Sequence, residues 1–99
     1  METVLRLAED LVPHVICGDK RITLRKGHRE FGPEVEIAGY TAVVDSVEYF
    51  KLKDVPLEVL NDDGFENHDD ALQGMKRFYP DITMETEMTA IRFHLPQLL

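Results

Sequence analysis

The run Gly18-Asp19-Lys20-Arg21-Ile22-Thr23-Leu24-Arg25 gathers an amine, a hydroxyl and two guanidinium groups in one short stretch. Ile22 and Leu24 alternate with Arg21, Thr23 and Arg25, which predicts a half-buried strand over residues 21–25 with the three polar side chains on one face. On such a strand Thr23 and Arg25 stand about 7 Å apart, with Lys20 at the strand mouth. If that face lines a pocket, partial desolvation and the neighbouring cations Arg21 and Arg25 favour the free amine of Lys20, a base for the Thr23 hydroxyl. The planar fork of Arg25 then suits a carbonyl, a carboxylate or a phosphate. A solvated polar strand face explains the same alternation, so spacing alone leaves both readings open.

Other chemistries find less support. No Walker loop, dinucleotide glycine pattern or G-x-S-x-G elbow is present. His14, His28, His68 and His94 are scattered and Cys17 stands alone, so the spacing points to no metal site and to no cofactor. Asp62, Asp63, Glu66, Asp69 and Asp70 form a carboxylate-rich segment, but without the alternating ligands and closing Glu of a calcium loop. Cys17 reads as a small buried residue at a helix end rather than a nucleophile. His28 lies among Lys26 and Arg29 and joins Arg21 and Arg25 as a candidate ligand-binding side chain.

The 99 residues, 43% hydrophobic and 30% charged, make one ordinary globular domain, residues 1–99. Nineteen Asp and Glu against eleven Lys and Arg give a net charge of −8, which disfavours long polyanions and makes DNA an unexpected partner. Lys20, Arg21, Arg25, Lys26 and Arg29 are nonetheless clustered, and a local potential of that sign can draw a small polar or anionic ligand. No apolar run approaches the roughly 18 residues needed to span a membrane. The start of the chain lacks the pattern of a secretory leader, and a single Cys cannot form an internal disulfide, so a reducing cytoplasm is the expected location.

The elements that must position the basic run follow from pattern. Residues 4–7 read as a strand, and Asp10 is placed to cap a short helix that runs to Cys17 and stops at Gly18. After the strand at 21–25, Gly27, Gly32 and Pro33 mark a loop, and Val35 and Ile37 alternate with Glu34 and Glu36 in another strand. Residues 41–50 are rich in Val, Thr, Tyr and Phe and read as one long strand with Val43, Val47 and Tyr49 on a common face. A helical turn or two over 55–60, capped by Asp54, ends at Gly64; Asn67 caps a further helix running through Ala71, Leu72, Met75, Phe78 and Tyr79 to Pro80. Residues 89–93 form the last strand, and an apolar tail at 96–99 reads as packed. About five strands with two to three short helices, and no β-α-β rhythm, make a small mixed sheet or barrel of α+β class.

The order Gly18-x-Lys20-x-x-Thr23-x-Arg25 directly after a short helix resembles the signature of the activating signal cointegrator homology (ASCH) domain, a small β-barrel related to the PUA fold. The Asp63-Gly64-Phe65 loop, the Tyr79-Pro80 helix end and the strand from Met88 to Phe93 are similar in kind and order to elements of that family. The resemblance implies a nucleoside- or RNA-related domain. One bacterial branch of similar length hydrolyses the acetyl amide of N4-acetylcytidine with a Lys, a Thr and a carboxylate. By position it implies Lys20 as the base, Thr23 as the nucleophile and Asp63, where that branch has Glu, as the acid and base on the leaving amine. Arg21, Arg25 and His28 become expected substrate contacts. Related domains in other proteins bind RNA without catalysis, and one bacterial relative is a metal-dependent ribonuclease; single-stranded RNA binding and ribonuclease activity are the alternatives the resemblance carries.

Overall fold

The computed structural model describes residues 1–96; the apolar tail expected at 96–99 falls almost wholly outside them. The expected α+β class is found: a five-stranded, curled half-barrel sheet with three short α-helices. The strands are β1 (Glu2–Val4), β2 (Ile22–Lys26), β3 (Phe31–Ile37), β4 (Tyr40–Lys51) and β5 (Glu87–His94), in the spatial order β1-β3-β4-β5-β2. Only β1 runs parallel to its neighbour; the other pairings are antiparallel. The helices are α1 (Val12–Ile16), α2 (Leu57–Asp62) and α3 (His68–Met75), with a 3-10 turn at Glu9–Leu11 leading into α1.

Side chains directly opposite on antiparallel strands share a face, and this sorts the core into two layers. Val35 opposes Ala42 and Val44 opposes Phe93; with Leu5, Ile37 and Val15 from α1 they form one apolar cluster. Ile22, Leu24, Met88 and Ala90 point the other way, under Val59, Leu60, Ala71 and Met75 of α2 and α3. The sheet is thus covered on both faces, and each fully buried aliphatic or aromatic side chain contributes about 1.5–3 kcal/mol.

Local details differ from the sequence expectations for identifiable reasons. The first strand is Glu2–Val4 rather than 4–7, although the Leu5 amide still bonds the Glu36 carbonyl. Asp10 lies inside the 3-10 turn, and α1 begins after Leu11 with no side-chain cap, Pro13 occupying its first turn. Gly32 and Pro33 fall within β3 instead of a loop. The register of β4 against β5 shifts between Val44 and Ser46; this bulge at Asp45 sends Val43 to the face opposite Val47 and Tyr49, breaking the common face read from alternation. Pro56, not Asp54, stands at the N-cap of α2. Asn67 caps α3 as expected, its side chain accepting from the Asp70 amide at 2.8 Å, but the helix ends at Met75 and releases Phe78 and Tyr79 into a turn.

Candidate functional site

Gly18, at φ +88°, ends α1 and turns the chain sharply into β2. The turn is fixed by backbone bonds, Gly18 to the Val15 carbonyl at 3.2 Å and Lys20 to the His14 carbonyl at 3.0 Å. Lys20 therefore enters at a defined point on the rim of the sheet. β2 is an edge strand with β5 as its one neighbour in the sheet, so its other edge is left open to a site. Thr23 and Arg25 oppose Ile91 and Thr89 and share their face, as alternation predicts, while Leu24 points toward the α2–α3 layer.

The carboxylate comes from the opposite layer. Helix α2 ends in a Schellman turn: the Phe65 amide bonds the Leu60 carbonyl at 2.8 Å, the Gly64 amide bonds the Asn61 carbonyl at 3.0 Å, and Gly64 takes φ +95°, a left-handed conformation that suits glycine. The turn projects Asp63 and Phe65 over the free edge of β2. There Lys20 Nζ donates to Asp63 Oδ1 at 2.6 Å, with the two side chains only 11% and 9% exposed. Burial pushes the Asp63 carboxyl above the usual carboxylate range, while the charge and hydrogen bond of Lys20 and the Leu24 amide pull it down only in part. The amine thus faces Asp63, an arrangement different from the free Lys20 base that the sequence suggested.

Lys20, Thr23, Arg25 and Asp63 all line a single pocket of about 250 Å³. Its walls are apolar and aromatic: Leu7 and Leu11 on one side, and Phe65, Met75, Phe78 and Tyr79 on the other. Thr23 is 5% exposed and Phe78 is 70% exposed, so the pocket runs from a nearly dry floor to an aromatic rim. Arg25 donates through Nη2 to the Arg6 carbonyl at 2.6 Å, and its Nε is buried without a partner among the described residues. Burial lowers the pKa of Arg25. A buried N–H with no acceptor typically costs about 1–3 kcal/mol, so the Arg25 Nε position carries an unmet hydrogen-bonding demand.

Two expected contacts lie elsewhere. Arg21 still meets β5, its carbonyl accepting from the Phe93 amide at 2.9 Å, but its Nε donates back to the Gly18 carbonyl at 3.0 Å and its side chain lies outside the pocket with Asp19, Asp62 and Arg92. His28 stacks on Tyr49 with ring centroids 3.8 Å apart and meets Glu87 Oε1 at 3.1 Å, also away from the pocket. Sequence reasoning missed the aromatic wall, because Phe78 and Tyr79 fit the helical period of α3 and read as core. It also read Cys17 as buried, whereas the thiol is exposed beside His14 and Asp19.

The same architecture occurs in two solved structures. Protein EF3133 from Enterococcus faecalis V583, assigned to the family DUF984, superposes with a TM-score of 0.71 at 12% identity, over 97% of this chain and 81% of its own. The hypothetical protein PH0355 superposes with a TM-score of 0.70 at 16% identity, over 96% of this chain and 99% of its own. No family model matches the sequence, and no curated protein matches it. At these identities the likeness establishes the fold; the site has to be argued from its own geometry. Among the described residues no helix is long and apolar enough to cross a membrane.

Proposed function

We propose that this chain is an ASCH-type, PUA-like domain of the cytoplasm whose pocket binds a nucleoside and hydrolyses the acetyl amide of N4-acetylcytidine or a similar N-acylated nucleoside. The observation that carries the reading is the buried Lys20–Asp63 pair in one pocket with Thr23. Amide hydrolysis needs a nucleophile, a base, an acid for the leaving nitrogen and a donor to the developing oxyanion. Burial raises the Asp63 pKa, which draws the proton between the two groups toward the carboxylate.

With that proton on Asp63, Lys20 takes the proton of the Thr23 hydroxyl as its oxygen attacks the acetyl carbonyl. The C–N bond breaks, Asp63 protonates the leaving N4 amine, and the acetyl group stays on Thr23. Asp63, now a carboxylate, takes a proton from water as the water oxygen attacks the ester. Acetic acid leaves and ionises to acetate in solvent, and Lys20 returns its proton to Thr23. In this reading Arg25, which lines the same pocket, holds the carbonyl oxygen. Phe65, Phe78 and Tyr79 offer faces to a planar base, and a nucleoside meets none of the repulsion that the net charge of −8 imposes on a long RNA.

Amide NMR spectra recorded during a titration with cytidine test the binding step. The expected result is a set of shifts confined to residues around Lys20, Thr23, Phe65 and Tyr79, with an affinity insensitive to salt. A protein that ignores cytidine but binds a single-stranded oligoribonucleotide with steep salt dependence is instead a non-catalytic RNA-binding module. RNA cleavage that a chelator stops would identify a metal-dependent ribonuclease.

A further inference from the structure

On the outer side of the turn that carries Lys20, the fold brings together three donors from one six-residue stretch, His14 to Asp19. His14 lies on α1, Cys17 at its C-cap and Asp19 just past Gly18. Their ligand atoms all lie within 4.8 Å of one another, and all three side chains are exposed. Cys17 Sγ is 3.3 Å from Asp19 Oδ2, and His14 Nδ1 is 4.0 Å from the same oxygen. A tetrahedral zinc ion with the usual bond lengths requires donor–donor edges of about 3.3–3.6 Å. The two observed edges lie within several tenths of an ångström of that requirement.

We propose that His14, Cys17 and Asp19 form a surface site for a borderline divalent cation of the zinc type, with a fourth position open to water. Three features support it independently of the pocket chemistry. A thiol, an imidazole and a carboxylate together select zinc-like ions over magnesium or calcium, which take oxygen ligands. The turn is held by the Gly18 and Lys20 backbone bonds and by the left-handed Gly18, so the backbone that carries the three donors is fixed before any ion arrives. Lys20, on the turn itself, is directed onto Asp63, and Arg21 donates to the Gly18 carbonyl. A bound ion meets little net repulsion from them, because a thiolate and a carboxylate neutralise its double charge. Binding exchanges the Cys17 S–H bond for a metal–sulfur bond and releases that proton to solvent.

Titration of the reduced, untagged protein with Co²⁺, followed by absorption, tests the site. The expected result is a saturable thiolate-to-cobalt charge-transfer band with the intense visible bands of a four-coordinate centre, both displaced by Zn²⁺. Cys17→Ser should abolish the charge-transfer band. His14→Ala and Asp19→Asn should each weaken binding by at least the roughly 10–100-fold typical of losing even an outer-shell partner. All three side chains are exposed, so the variants should keep the wild-type circular dichroism. Absence of the band, a band unchanged in His14→Ala and Asp19→Asn, or a weak six-coordinate spectrum from carboxylates elsewhere overturns the proposal.

Discussion

Lys20 and Asp63, 43 positions apart in sequence, meet at 2.6 Å over the free edge of β2. The turn leading into β2 supplies Lys20 and the Schellman turn of α2 supplies Asp63, so the pair depends on how two layers dock. Several consequences follow that can be measured.

The acid limb of the pH–rate profile should reflect Asp63. Its pKa is raised by burial, so a second proton enters the pair, and activity falls, at a pH above the ordinary carboxylate range. Asp63→Asn should remove this limb and lower kcat by about 10²–10⁴, the usual contribution of a general acid–base group. Asp63→Glu restores a carboxylate and should recover most of the loss. Steady-state kinetics across pH on the three proteins checks this.

Phe78 should matter for binding and not for folding. At 70% exposure its removal changes little of the core, so Phe78→Ala should leave stability within about 0.5 kcal/mol. Loss of a stacking face should weaken nucleoside binding by about 1–3 kcal/mol. Thermal melts and calorimetric titration separate the two effects.

Gly74 is a size constraint behind the pocket wall. A Cβ there would lie 2.8 Å from Phe65 Cε1, so Gly74→Ala must displace the ring that flanks Asp63. Alanine is the better helix former by about 1 kcal/mol, but overpacking typically costs about 1–3 kcal/mol. The expected outcome is a net loss of stability together with weaker ligand binding, read by denaturant unfolding and by titration.

Much of this arrangement was legible from local pattern. The alternation of Ile22 and Leu24 against Thr23 and Arg25 places the latter pair correctly, because strand periodicity persists wherever the backbone is extended. Gly18 and Gly64 mark the two turns that aim Lys20 and Asp63, and Asn67 marks the start of α3. What escaped was set by tertiary context. Arg21 departs because its guanidinium bonds back to the Gly18 carbonyl. The bulge at Asp45 is visible only in the pairing of β4 with β5. Phe78 and Tyr79 continue the helical period past the point where α3 stops, and so read as core. His14, Cys17 and Asp19 are a local exception: they lie within six residues and come together around the left-handed Gly18.

The edge strand β1 is tied to the basic segment by an ion pair between Glu2 and Arg29. The hydrogen bond from Arg29 holds the Glu2 carboxyl below its usual range. A depressed folded-state pKa adds stability above the unfolded value, and that stability disappears as pH falls through the folded value. Both side chains are about one third exposed, so Glu2→Gln should cost only about 0.5 kcal/mol near neutrality. The difference between wild type and variant should vanish in acid, as denaturant titrations at several pH values will show.

The most direct measurement is release of cytidine from N4-acetylcytidine by the purified protein, resolved by chromatography, with Lys20→Ala run beside it. The account predicts turnover by the wild type that disappears in the variant, because Asp63 then has no proton partner and Thr23 no base. A wild-type protein that binds cytidine in the pocket yet releases no product, or a Lys20→Ala variant that turns over at the wild-type rate, would contradict it.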